Sequence, residues 1–110
     1  MRFKQQKDGN FLDKKSGLIW KKRVEPGIFT FDEAMNTAWP DGWRVPTVLE
    51  MLLIMSKKRH QGKFTKLPNS PFLGCWTNLS DNRKAWHADF QYGNIFICEK
   101  NGKLRVRLVK

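Results

Sequence analysis

The chain has 110 residues, 40% hydrophobic and 28% charged, with 21 Lys plus Arg against 10 acidic residues and a formal net charge of +11. That length supports one domain over 1–110 with one modest core and excludes two, and the balance of apolar and charged residues excludes a disordered chain. A surface this basic draws polyanions by long-range attraction and counterion release, which keeps nucleic acid, sulfated sugars, acidic protein faces and anionic lipid in play.

The start, MRFKQQKDGN, has basic residues but no apolar stretch behind them, so no secretory signal peptide is expected. Segment 10–13 and GLIWKK at 17–22 then predict two short strands around a DKKSG turn. EPG at 25–27 is a second turn. In FTFDEAMNTAW, Thr30 is the predicted N-cap of a short helix, and Glu33 three positions on completes a capping box. Phe31, Ala34, Met35 and Ala38 recur at helical spacing and predict its buried face, while Pro40 and Gly42 end it.

In DGWRVPTVLE, Pro46 pushes Val45 to an extended conformation, and Thr47 with Glu50 forms a second capping box that starts a helix at 48. Its body, apolar on nearly every side, predicts the central buried helix. KKRH at 57–60 would then place cations at the negative end of the helix dipole. The longest apolar run, VLEMLLIM at 48–55, is interrupted by Glu50 and falls far short of the roughly 20 residues a membrane span needs, so no membrane insertion is expected. Arg44 reads as a structural ion-pair partner before a ligand contact.

Residues 59–73, with two Pro and a Gly, predict a long exposed loop. GCWTNLS, AWHADFQ, NIFICEK and KLRVRLV then read as strands separated by turns at SDNRK, YGN and NG. In the last of these, Leu104, Val106 and Leu108 alternate with Arg105, Arg107 and Val109, as in a half-buried strand. Short strands, two helices, a long loop and an antiparallel meander define an α+β fold class. Cys75 and Cys98 are too few to indicate a disulfide scaffold, and free thiols in a cytoplasmic protein are expected.

GNFLDKKSGLIWKK, FTFDEAMNTA, DGWRVPTVLEMLLIM, CWTNLS, AWHADFQYGNI and terminal RVRLVK resemble, in order, six elements of the Lcl C-terminal-domain family: D-x-x-T-G-L-x-W, T-W-D-E-A, W-R-L-P-T-x-x-E-L, Y-W-S-S-T, W-x-x-D-F-x-x-G and R-C-V-R. Each is weak alone, and the six in register span about residues 8–110. The resemblance implies a C-type-lectin-like fold, related to formylglycine-generating enzymes and phage variable proteins, with two helices packed on short antiparallel sheets with long loops. Relatives often carry a Cys late in the first helix and another in the terminal element. Ala38 and Leu108 stand at those positions here, which fits a chain outside an oxidising compartment.

No catalytic or metal constellation is expected, and no cofactor. The two His lie 27 positions apart with no zinc-type spacing, and the acidic residues are scattered rather than gathered as calcium ligands. His87, Asp89 and Cys75 can be imagined as a thiol triad, but Asp89 belongs to the W-x-x-D-F element and reads as a turn anchor. The formylglycine enzymes' chemistry depends on active-site cysteines in a larger chain, a context not reproduced here.

The basic clusters remain. Lys57, Lys58, Arg59, Lys63, Lys66, Arg83, Lys84, Lys103, Arg105 and Arg107 are the candidate anion- or partner-binding residues, with Phe64 and Tyr92 as aromatic contacts. Residues 51–80 contain no acid, which singles out KKRHQGKFTK as the best segment. Trp20, Trp43, Trp76 and Trp86 read as core. The expected function is a noncatalytic binding module that engages an acidic protein or protein complex. A phage or mobile-element protein that occludes a host complex fits the size, charge and fold. Nucleic-acid backbone or sulfated polysaccharide is the alternative ligand.

Overall fold

A computed structural model describes residues 1–110 in full. In chain order the elements are β1 (Phe3–Gln5), β2 (Phe11–Asp13), β3 (Ile19–Trp20), α1 (Phe31–Asn36), α2 (Val48–Ile54), β4 (Met55–His60), β5 (Lys63–Thr65), β6 (Cys75–Ser80), β7 (Lys84–Asp89) and β8 (Asn94–Glu99). They form three small antiparallel sheets, ordered β1-β2-β3, β4-β5 and β6-β7-β8. The fold is α+β.

The predicted DKKSG turn joins β2 to β3 and is organised by Asp13, whose side chain is fully buried. Its carboxylate accepts two bonds of 2.8 Å from the Arg2 guanidinium, and others from Lys15 N–H and Ser16 Oγ. Burial works to raise its pKa but is outweighed by these donors, which bring it to about 2. Arg2 Nη2 also donates to the Leu53 carbonyl at 2.7 Å, tying the first sheet to the end of α2.

Both capping boxes form. Thr30 with Glu33 and Thr47 with Glu50 each exchange side-chain and backbone bonds across the first helical turn. Arg44 makes the expected ion pair, two bonds of 2.6 Å to Glu50. In α1, Phe31 and Ala34 are buried and Met35 half-buried, but Ala38 lies beyond the helix and is exposed. The reason is local. Thr37 turns extended and bonds Glu33 O through both its N–H and its Oγ1, which ends the helix at Asn36.

α2 corrects two expectations. Only Met51 and Ile54 are buried, while Leu49, Leu52 and Leu53 are 68%, 49% and 41% exposed, so this is not a central buried helix. Two turns resting one side on the β6–β7 sheet leave the opposite side uncovered. The chain turns extended at Met55, so KKRH lies in β4 and not at a helix C-terminus. The dipole account of those cations therefore falls. Likewise 59–73 is not one exposed loop, since 63–65 pairs with β4 and Thr65, Leu67 and Ser70 are buried.

The sheet β6-β7-β8 separates two apolar clusters. Cys75, Ala88, Met51, Ile54, Trp20 and Phe90 belong to one; Trp76, Ala85, Phe31, Trp43, Val106 and Leu108 belong to the other. Segment 104–110 is not the last strand of the expected meander, since it bonds nowhere to β8; it lies between the clusters in the role of a central strand. It exchanges backbone bonds with Ile19, Lys21, Glu25 and Phe29 on one side and with Gly74, Trp76 and Arg44 on the other. The predicted alternation holds, but both of its faces are covered. Val106, Arg107, Leu108 and Val109 are all buried.

Candidate functional site

The strongest concentration of free cations sits on the β4–β5 hairpin. His60 pairs with Lys63, and Gln61 and Gly62 between them both have positive φ (55° and 83°), the geometry of a two-residue hairpin turn that Gly favours. The register shifts between Met55 and His60, so Lys57, Lys58 and Arg59 bulge from the strand and stay exposed. Thr65 fixes the base of the hairpin by donating to Ile54 O at 2.6 Å and accepting from Leu67 N–H.

Beside the hairpin the chain folds back through 66–70 and encloses an open cleft of about 590 Å3. Arg59, His60, Lys63 and Lys66 line it, and Leu67 is its one apolar wall residue. The far wall is held from behind. Arg107 Nη2 donates to Pro68 O at 3.0 Å, Asn69 Nδ2 donates to Lys22 O at 2.8 Å, and Ser70 Oγ donates to Leu67 O. Arg59 lies over the Phe64 ring at 5.1 Å, and Lys63 over Phe72 at 4.9 Å, which orients both cations without neutralising them. Phe64 itself rests on Gly93, where a Cβ would come within 2.7 Å of the ring.

The ten candidate cations divide. Lys57, Lys58, Arg59, Lys63 and Lys66 share the hairpin and its cleft, with Phe64 beside them. Arg83 and Lys84 lie at the opposite end of β7, roughly 16 Å along the strand, in a shallow depression that also holds Asp81 and Glu99. Asp81 accepts from the Lys84 and Arg83 backbone N–H groups, which lower its pKa. Lys103 is exposed near Glu33, whose capping-box bonds are the main cause of its lowered pKa.

Arg105 and Arg107 are corrections. Arg107 is 2% exposed and donates to the carbonyls of Lys21, Lys22 and Pro68, so it is a structural clamp and contacts no partner. Burial pushes its pKa down to about 10, which still leaves it charged at neutral pH. Arg105 is half-buried, with its Nε out of solvent. Neither faces water as strand alternation predicted, because the neighbouring face is Cys75 and the first apolar cluster rather than solvent.

The imagined thiol triad does not assemble. Cys75 pairs with Ala88 while His87 pairs with Trp76, so thiol and imidazole lie on opposite faces of the sheet. Burial pushes the Cys75 thiol up to about 12, against the opposing pull of Arg107 and Arg105, and a thiolate does not form at neutral pH. Cys75 and Cys98 are both free, on β6 and β8 with β7 between them. Asp89 anchors the β7–β8 turn by accepting from Gln91 and Tyr92 N–H, as its motif position suggested.

Tyr92 is exposed and meets Phe96 edge-on at 6.5 Å. Trp20, Trp43 and Trp76 are core as expected, and Trp86 is half-buried. Two exposed aromatic rings escaped the sequence reading: Phe72, under Lys63, and Phe96, whose strand is apolar on both alternating faces and so carries no inward–outward signal.

These features define a small α+β domain of short sheets and capped helices, with a polar, basic cleft at one edge. A family model described as the Lcl C-terminal domain matches residues 9–110, and the chain belongs to that family. Neither curated proteins nor solved structures give a match. No helix is long and apolar enough to cross a membrane.

Proposed function

We propose that this domain is a noncatalytic binding module, built on a C-type-lectin-like scaffold and acting in the cytoplasm, that engages an acidic protein or protein complex through the β4–β5 hairpin. One observation carries the reading. Five cations and a 590 Å3 cleft occupy a stretch, 51–80, that contains no acid to neutralise them. Uncompensated charge of one sign raises encounter rates with the opposite sign, and loops held by a rigid scaffold make adaptable contacts. A phage or mobile-element protein that occludes a host complex fits this description.

The test is affinity purification from the native cell, with and without nuclease, comparing the natural chain with Lys63→Glu/Lys66→Glu. Recovery of a specific acidic protein that survives nuclease and disappears in the double variant is expected. Recovery unchanged by the charge reversal removes the hairpin from consideration.

The exposed Tyr92–Phe96 pair favours a second reading, in which a polyanion with bases to stack, single-stranded nucleic acid, lies along the hairpin. That ligand gives log affinity falling linearly with log salt and a loss on Tyr92→Ala. Sulfated polysaccharide shares the salt dependence and is indifferent to Tyr92.

A further inference from the structure

The outward side of α2 is an apolar feature that the basic cleft does not explain. Leu49 points directly away from the buried Met51 and Ile54, with Leu52 and Leu53 to either side of it. The sheet that supports α2 carries the surface on. Ala88 and Ile95 pair beneath the helix, and on the same face the next pair along, Trp86 and Ile97, is half-buried and 46% exposed. An uncovered helix side continuous with an uncovered sheet row is the kind of patch that marks a protein contact.

Charge selects the occupant. Of the acids bordering this surface, Glu50 is held by two bonds from Arg44, and Glu99 stands directly opposite Lys84. Lys57 and Lys58 have no such partner, and they follow the helix so closely that Lys57 Cα is within roughly 14 Å of Leu53 Cα. The surface is thus apolar at its centre and positive at its rim. A second copy would bring the same positive rim and a net charge of +11 against it.

We infer that the outer face of α2, with Trp86 and Ile97, is the anchoring site for an acidic amphipathic helix: the partner's apolar side chains seat on Leu49, Leu52 and Leu53 while its carboxylates meet Lys57 and Lys58. This rests on the reading of the domain as a binder of acidic protein and adds the element that separates one acidic protein from another. The cations govern encounter, and the leucines govern which encounters last.

The full chain, with Leu, Ile and Val methyl groups and backbone amides labelled for NMR, is titrated with three synthetic peptides. The first is an acidic amphipathic helix about five turns long with Leu at i, i+3, i+4 and i+7. The second has those Leu replaced by Gln at equal charge, and the third has every Glu replaced by Lys. The first peptide is expected to shift the methyls of Leu49, Leu52, Leu53 and Ile97 together with the hairpin amides. The second should move the hairpin amides alone and bind at least tenfold more weakly. The third should move neither set.

In Leu49→Gln and, independently, Leu53→Gln, affinity for the first peptide should fall toward that of the second, with far-UV circular dichroism unchanged. Hairpin amides that respond while the α2 methyls stay still overturn this inference and leave the basic-cleft reading standing. Silence of both sets overturns both. Equal binding of the third peptide removes the charge argument. A concentration-dependent dimer in sedimentation velocity, lost on Leu49→Gln, gives the face to a second copy and overturns the proposal.

Discussion

α2 and segment 104–110 meet the same domain in opposite ways. The helix is apolar at six of its seven positions, VLEMLLI, and keeps three leucines in water. The C-terminal segment carries Arg105, Arg107 and Lys110, and yet its four residues from 106 to 109 are all buried. What separates them is the number of backbone neighbours. The segment has chain hydrogen-bonded to it on both sides, so the side chains from 106 to 109 land in protein whichever face they take. The helix satisfies its own backbone, touches the sheet along one side and has nothing on the other. Burial follows from where a segment sits in the topology, and composition only decides what that burial costs.

The comparison is broken most forcefully at Arg107. Replacement by Ala removes three bonds to main-chain carbonyls and a buried side chain's packing, and should cost about 3–5 kcal/mol, read by urea unfolding. Arg107→Lys should recover part of this, since one ammonium cannot span all three acceptors. A loss under about 1 kcal/mol would sink the idea that a buried cation holds the cleft wall.

Arg2→Ala comes next, at about 3 kcal/mol at neutral pH, because it leaves the Asp13 carboxylate buried without its counter-charge. Asp13 has its pKa lowered from 3.8 to about 2 in the fold. The stability linked to it is complete above about pH 4 and drains away as the pH falls toward 2. The gap between natural chain and variant should therefore close over that window in acid unfolding curves. A gap constant from pH 7 to 2 removes Asp13 as the cause.

Glu50→Ala tests how α2 is held, by its cap rather than by its outer leucines. It removes half of a capping box and the partner of Arg44, for about 1–2 kcal/mol by thermal unfolding. The smallest effects belong to Leu49→Gln, Leu53→Gln and Lys63→Glu/Lys66→Glu, all within about 0.5 kcal/mol of the natural chain. A loss of about 2 kcal/mol at either leucine would mean that the outer face of α2 supports the fold.

Much of this was readable residue by residue. Both capping boxes, the Arg44 pairing and the Asp89 turn depend on neighbours within six positions in sequence, and local chemistry specifies them. The meander holds for its first three strands only, since 104–110 bonds to Phe29, Gly74 and Arg44 rather than to β8. Of the site, five of ten proposed cations and Phe64 do gather on one hairpin, since they already lie within one short stretch of chain. Apart from Ala38, where Thr37 ends the helix early, the misreadings involve distant partners. KKRH passes equally well for a helix end or a bulged strand, and only the pairing of Met55 with Thr65 decides it. Arg107 looked like the outward half of an alternating strand, because nothing nearby announces that Lys21, Lys22 and Pro68 close over it. The leucines of α2 looked buried because periodicity reports how apolar a helix is, not how many neighbours surround it.

The placement of 104–110 also bears on the order in which the domain comes into being. Ile19 and Phe29 bond to Lys110 and Leu104, while Arg44 and Val109 bond to each other through both backbone groups. On a growing chain all of β1 to β8 exists before the strand that joins the two clusters has emerged. The earlier elements must wait with their inner edges unpaired, and the molecule closes only after translation has passed these last residues. Contacts of such long sequence separation make closure slow, on the order of milliseconds to seconds. That interval, rather than the finished fold, is when this basic chain is most open to aggregation and proteolysis.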